Sequence, residues 1–382
     1  MYSLFGYGEM IADRVRMNAF RQALRTAIQP GAVVMDIGTG PGIMGVLACD
    51  LGASRVYAIE PGDIIQVARE IAAANNCTEK IVFLENTSSK VSISARVDVI
   101  VSDMRGILPL FENHIPSIAD ARRRFLMPGG TSIARRDRIW VAVVEAPEAF
   151  GKIADPWAGN ALGQDLTVAR HKVLNDFRKW RLKPEQLLTE PQLWATLDYA
   201  TIENPDLCGT VEWNVMRGGT GHGILVWFDM DLAEGVSFSN GPEAPETVYG
   251  AAFFPWLEPV SLAAGQNLSV ELEAKLIEKD YFWRWTTQIE TPERPGEISV
   301  RFEQSQIQGS LLSLEKIHKT ASNYVPQLSE EGLIRRRVLD LMDGKTSLEN
   351  IARRLKAEFP ERFPRWQQAL TFAGAISIDD SR

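Results

Sequence analysis

Cysteine is scarce. The 382 residues contain three, Cys49, Cys77 and Cys208, an odd number with no CxxC pair, and the four histidines do not cluster. Neither a disulfide framework nor a zinc site is expected on these grounds. Long apolar runs are missing as well, since no stretch approaches the ~18 uncharged residues of a membrane span. Glu9, Asp13, Arg14, Arg16, Arg21 and Arg25 interrupt any secretory apolar core near the start. A soluble protein in a reducing, cytoplasmic setting is the expectation, with no membrane partner. Basic charge is not in excess either: 41 Lys and Arg stand against 49 Asp and Glu, a net charge of -8. No global field is available for phosphate backbones, so nucleic acid is not an expected partner, whereas a cationic one suits the balance. Internal repeats and low-complexity segments are absent.

What is present is the composition of a folded enzyme-sized protein, 45% hydrophobic and 24% charged. The length exceeds the roughly 100 to 200 residues of one domain, so two or three units are expected. From Val33 to about Glu145, short β-branched runs (Val33–Asp36, Arg55–Ile59, Ile81–Leu84, Val97–Ser102, Ile139–Glu145) alternate with helical stretches such as Ile43–Leu51 and Ile64–Asn75. That alternation predicts a parallel sheet with crossover helices, and Pro128-Gly129-Gly130 reads as a turn between a helix and the next strand. After Pro147 a helix-prone insertion, Trp157–Leu188, precedes alternating runs such as Gly223–Leu232 and Leu268–Leu276, which predict an antiparallel barrel or sandwich. From Ser329 the pattern changes again, to amphipathic helices over Leu333–Met342 and Leu348–Phe359, with Thr346 or Ser347 as N-cap. The expected plan is an α/β Rossmann-like domain over 1–146, a β-barrel domain over 147–314 with an arm at 152–190, and a helical segment over 315–382.

The strongest motif is Val34-Met-Asp-Ile-Gly-Thr-Gly-Pro-Gly42. An acid, Asp36, closes a strand, and Gly38, Gly40 and Gly42 let the backbone approach a ligand and turn into a helix. A nicotinamide site would place its third glycine at position 43, which is Ile43, and would lack the acid at 36. The D-x-G-x-G-x-G form instead suits S-adenosylmethionine. Twenty residues past Gly40, Glu60 closes the second strand, where a carboxylate can accept both ribose hydroxyls. Beyond the fourth strand, Val101-Ser-Asp-Met-Arg-Gly-Ile-Leu-Pro-Leu-Phe-Glu112 sets Asp103 and Glu112 nine residues apart at the carboxyl edge of the sheet. Two carboxylates there can hold a guanidinium, which stays protonated and presents forked donors.

These residues resemble the protein arginine methyltransferase family, whose double-E loop carries two glutamates at the same separation. The resemblance runs from about Gly8 to Ile289. Glu9-Met10, Asp13, Val15-Arg16 and Phe20-Arg21 look like the family's helix over the cofactor. Trp157–Thr189 looks like its dimerisation arm, and Leu225–Leu232 with Gly241–Thr247 like its barrel strand and following loop. The resemblance implies an S-adenosylmethionine-dependent N-methyltransferase acting on arginine in a protein or peptide, as a homodimer whose contact uses Trp157, Leu162, Val173, Leu174, Phe177 and Trp180. It implies Glu112 and Asp103 as catalytic acids, Met10 and Arg105 beside the acceptor, and Arg16 and Ser88 at the cofactor together with Asp36, Gly38, Gly40, Gly42 and Glu60.

Several positions depart from the family. Asp103 replaces a glutamate, Arg105 stands where a methionine is usual, and Ser89 falls where an acid commonly meets the adenine amino group. Val248 replaces the histidine of a Thr-His-Trp motif, so that side chain's support of the loop is expected to be missing. Little of the family's Tyr-Phe-containing first helix is expected. Arg105 fits either an ion pair with Asp103 or Glu112, or the carboxylate of an acceptor such as free arginine. Free arginine or another small guanidino or amino compound is therefore an alternative acceptor, and a scaffold subunit of low activity a second alternative. The tail faintly resembles the helical half of small peptide-recognition domains of modified-peptide pathways.

Overall fold

The computed structural model describes residues 3–158, 163–291, 294–311 and 313–381, so Leu162 lies outside the described residues. Met1–Ser310 and Leu311–Arg382 form two compact units.

The first unit opens with helix α1 (Leu4–Ala12), capped by Ser3, and helix α2 (Arg14–Ala27), capped by Asp13, whose Oδ1 accepts the Arg16 N–H at 3.0 Å. The buried face of α2 carries Ala19, Phe20, Ala23 and Leu24 at helical spacing, and Arg16 lies one turn before Phe20 on that face. Strands β1 (Val33–Ile37), β2 (Arg55–Ile59), β3 (Ile81–Leu84), β4 (Val97–Ser102) and β5 (Leu126–Ile133) form a parallel sheet in the order β3-β2-β1-β4-β5. Helices α3 (Ile43–Asp50), α4 (Ile64–Ala74) and α5 (His114–Arg124) lie in its connections. Because the order reverses at β1, the loops leaving β1 and β4 open onto one crevice, the place where such sheets bind ligands.

Two expectations are corrected here. Pro128-Gly129-Gly130 is an irregularity within β5: Val97 faces Leu126 while Val99 already faces Thr131. The run Ile139–Glu145 belongs to β6 (Arg136–Val144), which pairs antiparallel with later strands, so β5 supplies the fifth parallel strand. A buried β-branched run has the same composition in either kind of sheet, and only its partners distinguish them. Two residues, Ala134 and Arg135, carry the chain from one sheet to the other.

After helices α6 (Pro147–Ala158) and α7 (Thr167–Val173) come β7 (Arg178–Trp180), β8 (Gln192–Asp198), β9 (Leu207–Asn214), β10 (Gly219–Ala233), β11 (Val236–Ser239), β12 (Ala251–Leu262), β13 (Asn267–Ile277), β14 (Asp280–Thr291) and β15 (Arg294–Ser305). They build two antiparallel sheets, β7-β12-β10-β6-β8 with β11 on β10, and β15-β14-β13-β9. Aromatics close the core between them. Phe254 meets Phe177, Trp283 and Trp285 at ring distances of 4.8, 5.3 and 5.1 Å. Within the expected arm, Leu174 is fully buried and Phe177 packs on Phe254, inside their own chain, while Trp157 and Val168 are exposed.

In the second unit, helices Glu330–Leu341 and Leu348–Glu358 follow the expected spans, and Ser347 is the N-cap, accepting from the Asn350 N–H. A third helix, Trp366–Asp380, packs Ala369, Ala373 and Ile376 into the same small core. Its apolar residues go round the helix, so it lacks the stripe that marks a surface helix in sequence.

Replacing Phe254 with Ala empties the centre of the aromatic core. Stability should fall by about 3 to 5 kcal/mol, measured by urea unfolding.

Candidate active site

Behind the carboxyl ends of β1 and β4 lies a cavity of about 480 Å³. Of the residues singled out from the sequence, Met10, Arg16, Asp36, Gly38, Gly40, Glu60, Asp103, Arg105 and Glu112 line it, together with Tyr7 of α1. Two do not. Gly42 stands behind the loop, where φ is 83° and a Cβ would come within 2.9 Å of the Ala68 Cβ, so it fixes the packing of α3 on α4. Ser88 is buried in the turn Ser88–Lys90, its carbonyl accepting from Arg124, and stands outside the lining of this cavity.

Gly40 shows why the loop excludes side chains. Its φ is 52°, and a Cβ would sit 2.7 Å from the ring of Tyr7, which covers the loop from α1. Glu60 holds the loop from the other side, one oxygen accepting from the Gly40 N–H at 3.1 Å and the other from Gly62 at 3.0 Å. About two of its four lone-pair positions then remain for a diol. Asp36 is fully buried, and burial pushes its carboxyl up to about 7, against the lowering effect of hydrogen bonds from the Thr39 hydroxyl and the Gly45 N–H.

The two loop acids sit in unlike surroundings. Asp103 is nearly buried and ion-paired: Arg16 reaches Oδ2 through Nε at 2.7 Å and through its terminal nitrogen at 2.5 Å, and the Tyr249 hydroxyl lies 2.7 Å from both oxygens. Arg105 faces Oδ1 at 3.5 Å. Glu112 is exposed at the cavity, with φ of 42° and no hydrogen bond or ion pair among the described residues. Left-handed backbone in a residue with a side chain costs about 1 to 3 kcal/mol and gathers at functional sites.

Arg105 is 1% exposed and turned to Asp137 of β6, with Nε and a terminal nitrogen each 3.0 Å from Oδ2. The ion-pair reading holds: Asp103 is one partner at 3.5 Å, and Asp137, at 3.0 Å, is the nearer one. Burial works against both guanidinium charges, but Asp103 beside Arg16 and Asp137 beside Arg105 more than offset it and hold both groups protonated. Tyr199 donates to Asp137 at 2.5 Å, and His114 meets Tyr199 at 3.0 Å. Burial, helped by Arg105, drives the His114 imidazole well below its usual range, so it is neutral. The Val248 side chain has no polar atom to offer the loop; Tyr249, one residue on, reaches Asp103, while the Val248 N–H donates to Asp13 at 2.8 Å.

Tyr249, Asp137, Tyr199 and His114 were not singled out from the sequence. Asp137 carried a signal, since it shares the alternation of Ile139, Val141 and Val143 and so falls on the buried face of β6. Tyr249 lies 146 residues from Asp103 and carried none.

Asp36 makes stability depend on pH. Its carboxyl binds a proton up to about 7 when folded but only to about 3.9 when unfolded. The unfolded state therefore gives up its proton first, and the folded state loses stability as pH rises between those values. Asp36→Asn should flatten that part of the profile, seen as a smaller fall in melting temperature between pH 5 and 8 than in the native protein.

Residues 18–134 match the family described as Ribosomal protein L11 methyltransferase (PrmA), and residues 136–285 match the Arginine methyltransferase oligomerization subdomain. The second match begins where β6 does. Protein arginine N-methyltransferase 6 of Xenopus tropicalis is 30% identical over 253 residues, 63% of this chain and 74% of the relative. Probable protein arginine N-methyltransferase 6 of Arabidopsis thaliana is 30% identical over 248 residues, and there the chain spans 57% of the relative's length. Among solved structures, Arabidopsis thaliana Protein Arginine Methyltransferase 10 in an open conformation has a TM-score of 0.68 at 24% identity, covering 79% of this chain and 97% of its own. The Trypanosoma brucei PRMT1 enzyme-prozyme heterotetrameric complex with AdoHcy gives 0.71 at 19%, covering 78% and 96%. Those two show the fold, and with the sequence relatives they identify the chain as a member of the protein arginine methyltransferase family.

Proposed function

We propose that this protein is an S-adenosylmethionine-dependent methyltransferase that methylates an arginine guanidino group in a protein or peptide. The observation that carries the reading is the single cavity in which the glycine loop and Glu60 face Glu112. When bound, S-adenosylmethionine supplies an electrophilic methyl on a sulfonium. The residues fit that group: Gly40 admits no side chain, Glu60 keeps lone pairs for the ribose diol, and Tyr7 covers the loop. Glu112 would accept N–H bonds from the guanidinium and draw its positive charge toward the nitrogens it holds, leaving the remaining nitrogen to attack. The Arg105 guanidinium, buried against Asp137, does not favour free arginine as the acceptor.

A homodimer belongs to the same proposal. The match of residues 136–285 to an oligomerization subdomain and the exposure of Trp157 and Val168 support it. A dimeric mass in light scattering at micromolar concentration is expected, and a monodisperse monomer would rule it out. The cytoplasmic setting also remains a proposal, supported by three unbridged cysteines. No helix among the described residues is long and apolar enough to cross a membrane.

Two variants test the enzyme reading. Glu60→Ala should weaken AdoHcy binding by about 1 to 3 kcal/mol in calorimetry. Glu112→Gln should leave that binding intact and remove most transfer of labelled methyl to an arginine peptide, because the charge facing the guanidinium is gone. If Glu112→Gln transfers methyl at the native rate, the guanidinium assignment fails.

A further inference from the structure

Of the two acids in the loop after β4, Asp103 has almost no capacity left. A carboxylate offers about four lone-pair positions. Arg16 fills two at Oδ2, the Tyr249 hydroxyl lies against both oxygens, and Arg105 faces what remains of Oδ1. The side chain is 7% exposed. A guanidinium arriving from the cavity would have to displace one of these donors. Glu112, exposed and unpaired among the described residues, asks for no such exchange.

Arg16 differs. Arg16 and Arg105 are the cations among the cavity-lining residues, and Arg105 is committed to Asp137. Arg16 spends Nε on Asp103 and Tyr249, NH1 on the Met10 carbonyl and the Met17 sulfur, and one N–H of NH2 on Asp103. One N–H of NH2 therefore remains for a ligand anion, which leaves room for the partner that the family resemblance implies for Arg16, the carboxylate of the methionine portion of S-adenosylmethionine.

The geometry points to Asp103 and Tyr249 as positioning residues that aim Arg16 at the cofactor carboxylate, leaving the acceptor cation to Glu112 alone. This assignment rests on the methyltransferase reading for the identity of the anion. The chain has, in effect, moved one acid of its acceptor loop to the cofactor side. The shorter Asp103 suits that place, since a longer side chain would crowd the Tyr249 hydroxyl and the Arg105 guanidinium. The barrel side takes part directly, because Tyr249 precedes β12 and Asp137 lies on β6.

The test is AdoHcy affinity by calorimetry, run beside the KM and kcat of an arginine-containing peptide. Asp103→Asn should weaken AdoHcy binding about 10-fold, within the range for a hydrogen bond to a charged group, and leave the peptide KM within about 2-fold. Glu112→Gln should do the reverse. Because Asp103→Asn leaves Arg16 and Arg105 short of a buried partner and can unfold the chain, Tyr249→Phe serves as the second variant. It keeps every ion in place and should weaken AdoHcy about 3- to 5-fold with the peptide KM unchanged. A cycle with Arg16→Lys separates aiming from plain structural support: if Asp103 acts through Arg16, the double variant loses no more AdoHcy affinity than Arg16→Lys alone. Additive losses overturn the proposal. So does unchanged or tighter AdoHcy binding in both Asp103→Asn and Tyr249→Phe, or a rise in peptide KM in Asp103→Asn matching that of Glu112→Gln. If the native protein methylates no arginine peptide, the functional reading fails, and the AdoHcy cycle still decides the role of Asp103.

Discussion

Four buried charges, two of each sign, hold one wall of the cavity together. Arg16 from α2 meets Asp103 beyond β4, and Arg105 from the same loop meets Asp137 of β6. Charges taken out of water are costly unless paired and hydrogen-bonded, and removing one partner leaves the other stranded at about 3 to 5 kcal/mol. The helix, the loop and the antiparallel sheet are therefore fixed by a shared requirement for neutrality. Tyr199, Tyr249 and the neutral His114 fill the remaining hydrogen-bonding positions.

Within this frame, four carboxylates around one cavity have four environments. Asp36 is desolvated and holds its proton toward neutral pH; Glu60 accepts backbone N–H groups; Asp103 is ion-paired; Glu112 faces solvent. Chemically similar side chains are given unlike charge states and partners by what surrounds them.

How much of this was legible in the sequence depended on range. The glycine loop and its strand are local, so Gly38, Gly40 and Glu60 could be placed on the cavity from spacing alone. The amphipathic tail helix Leu348–Glu358 was readable for the same reason. Contacts across the chain were not. The run Ile139–Glu145 looked like a fifth parallel strand because burial on both faces erases alternation, and its pairing with β10 appears only in three dimensions. Arg105 was readable as an ion-pair residue with Asp103, but its nearer partner lies 32 positions away on another sheet. The absence of a polar side chain at Val248 was plain in the sequence, but the bond from Tyr249 to Asp103 was not.

The two-residue passage from β5 to β6 has a mechanical consequence. A tether of Ala134 and Arg135, with the Arg135 N–H bonded to the Asp231 carbonyl at 2.8 Å and buried ions on either side, leaves no slack for the two sheets to swing apart. Opening along that seam would strand charges in a dry interface. Helix α1 is a different kind of wall: it has no fully buried residue, and its Tyr7 rests on the glycine loop. Peeling it back breaks no sheet and takes from the buried ions only the Arg16 hydrogen bond to the Met10 carbonyl, which makes α1 the lower-cost doorway for any molecule exchanged beneath Tyr7, while the rest of the cavity stays set.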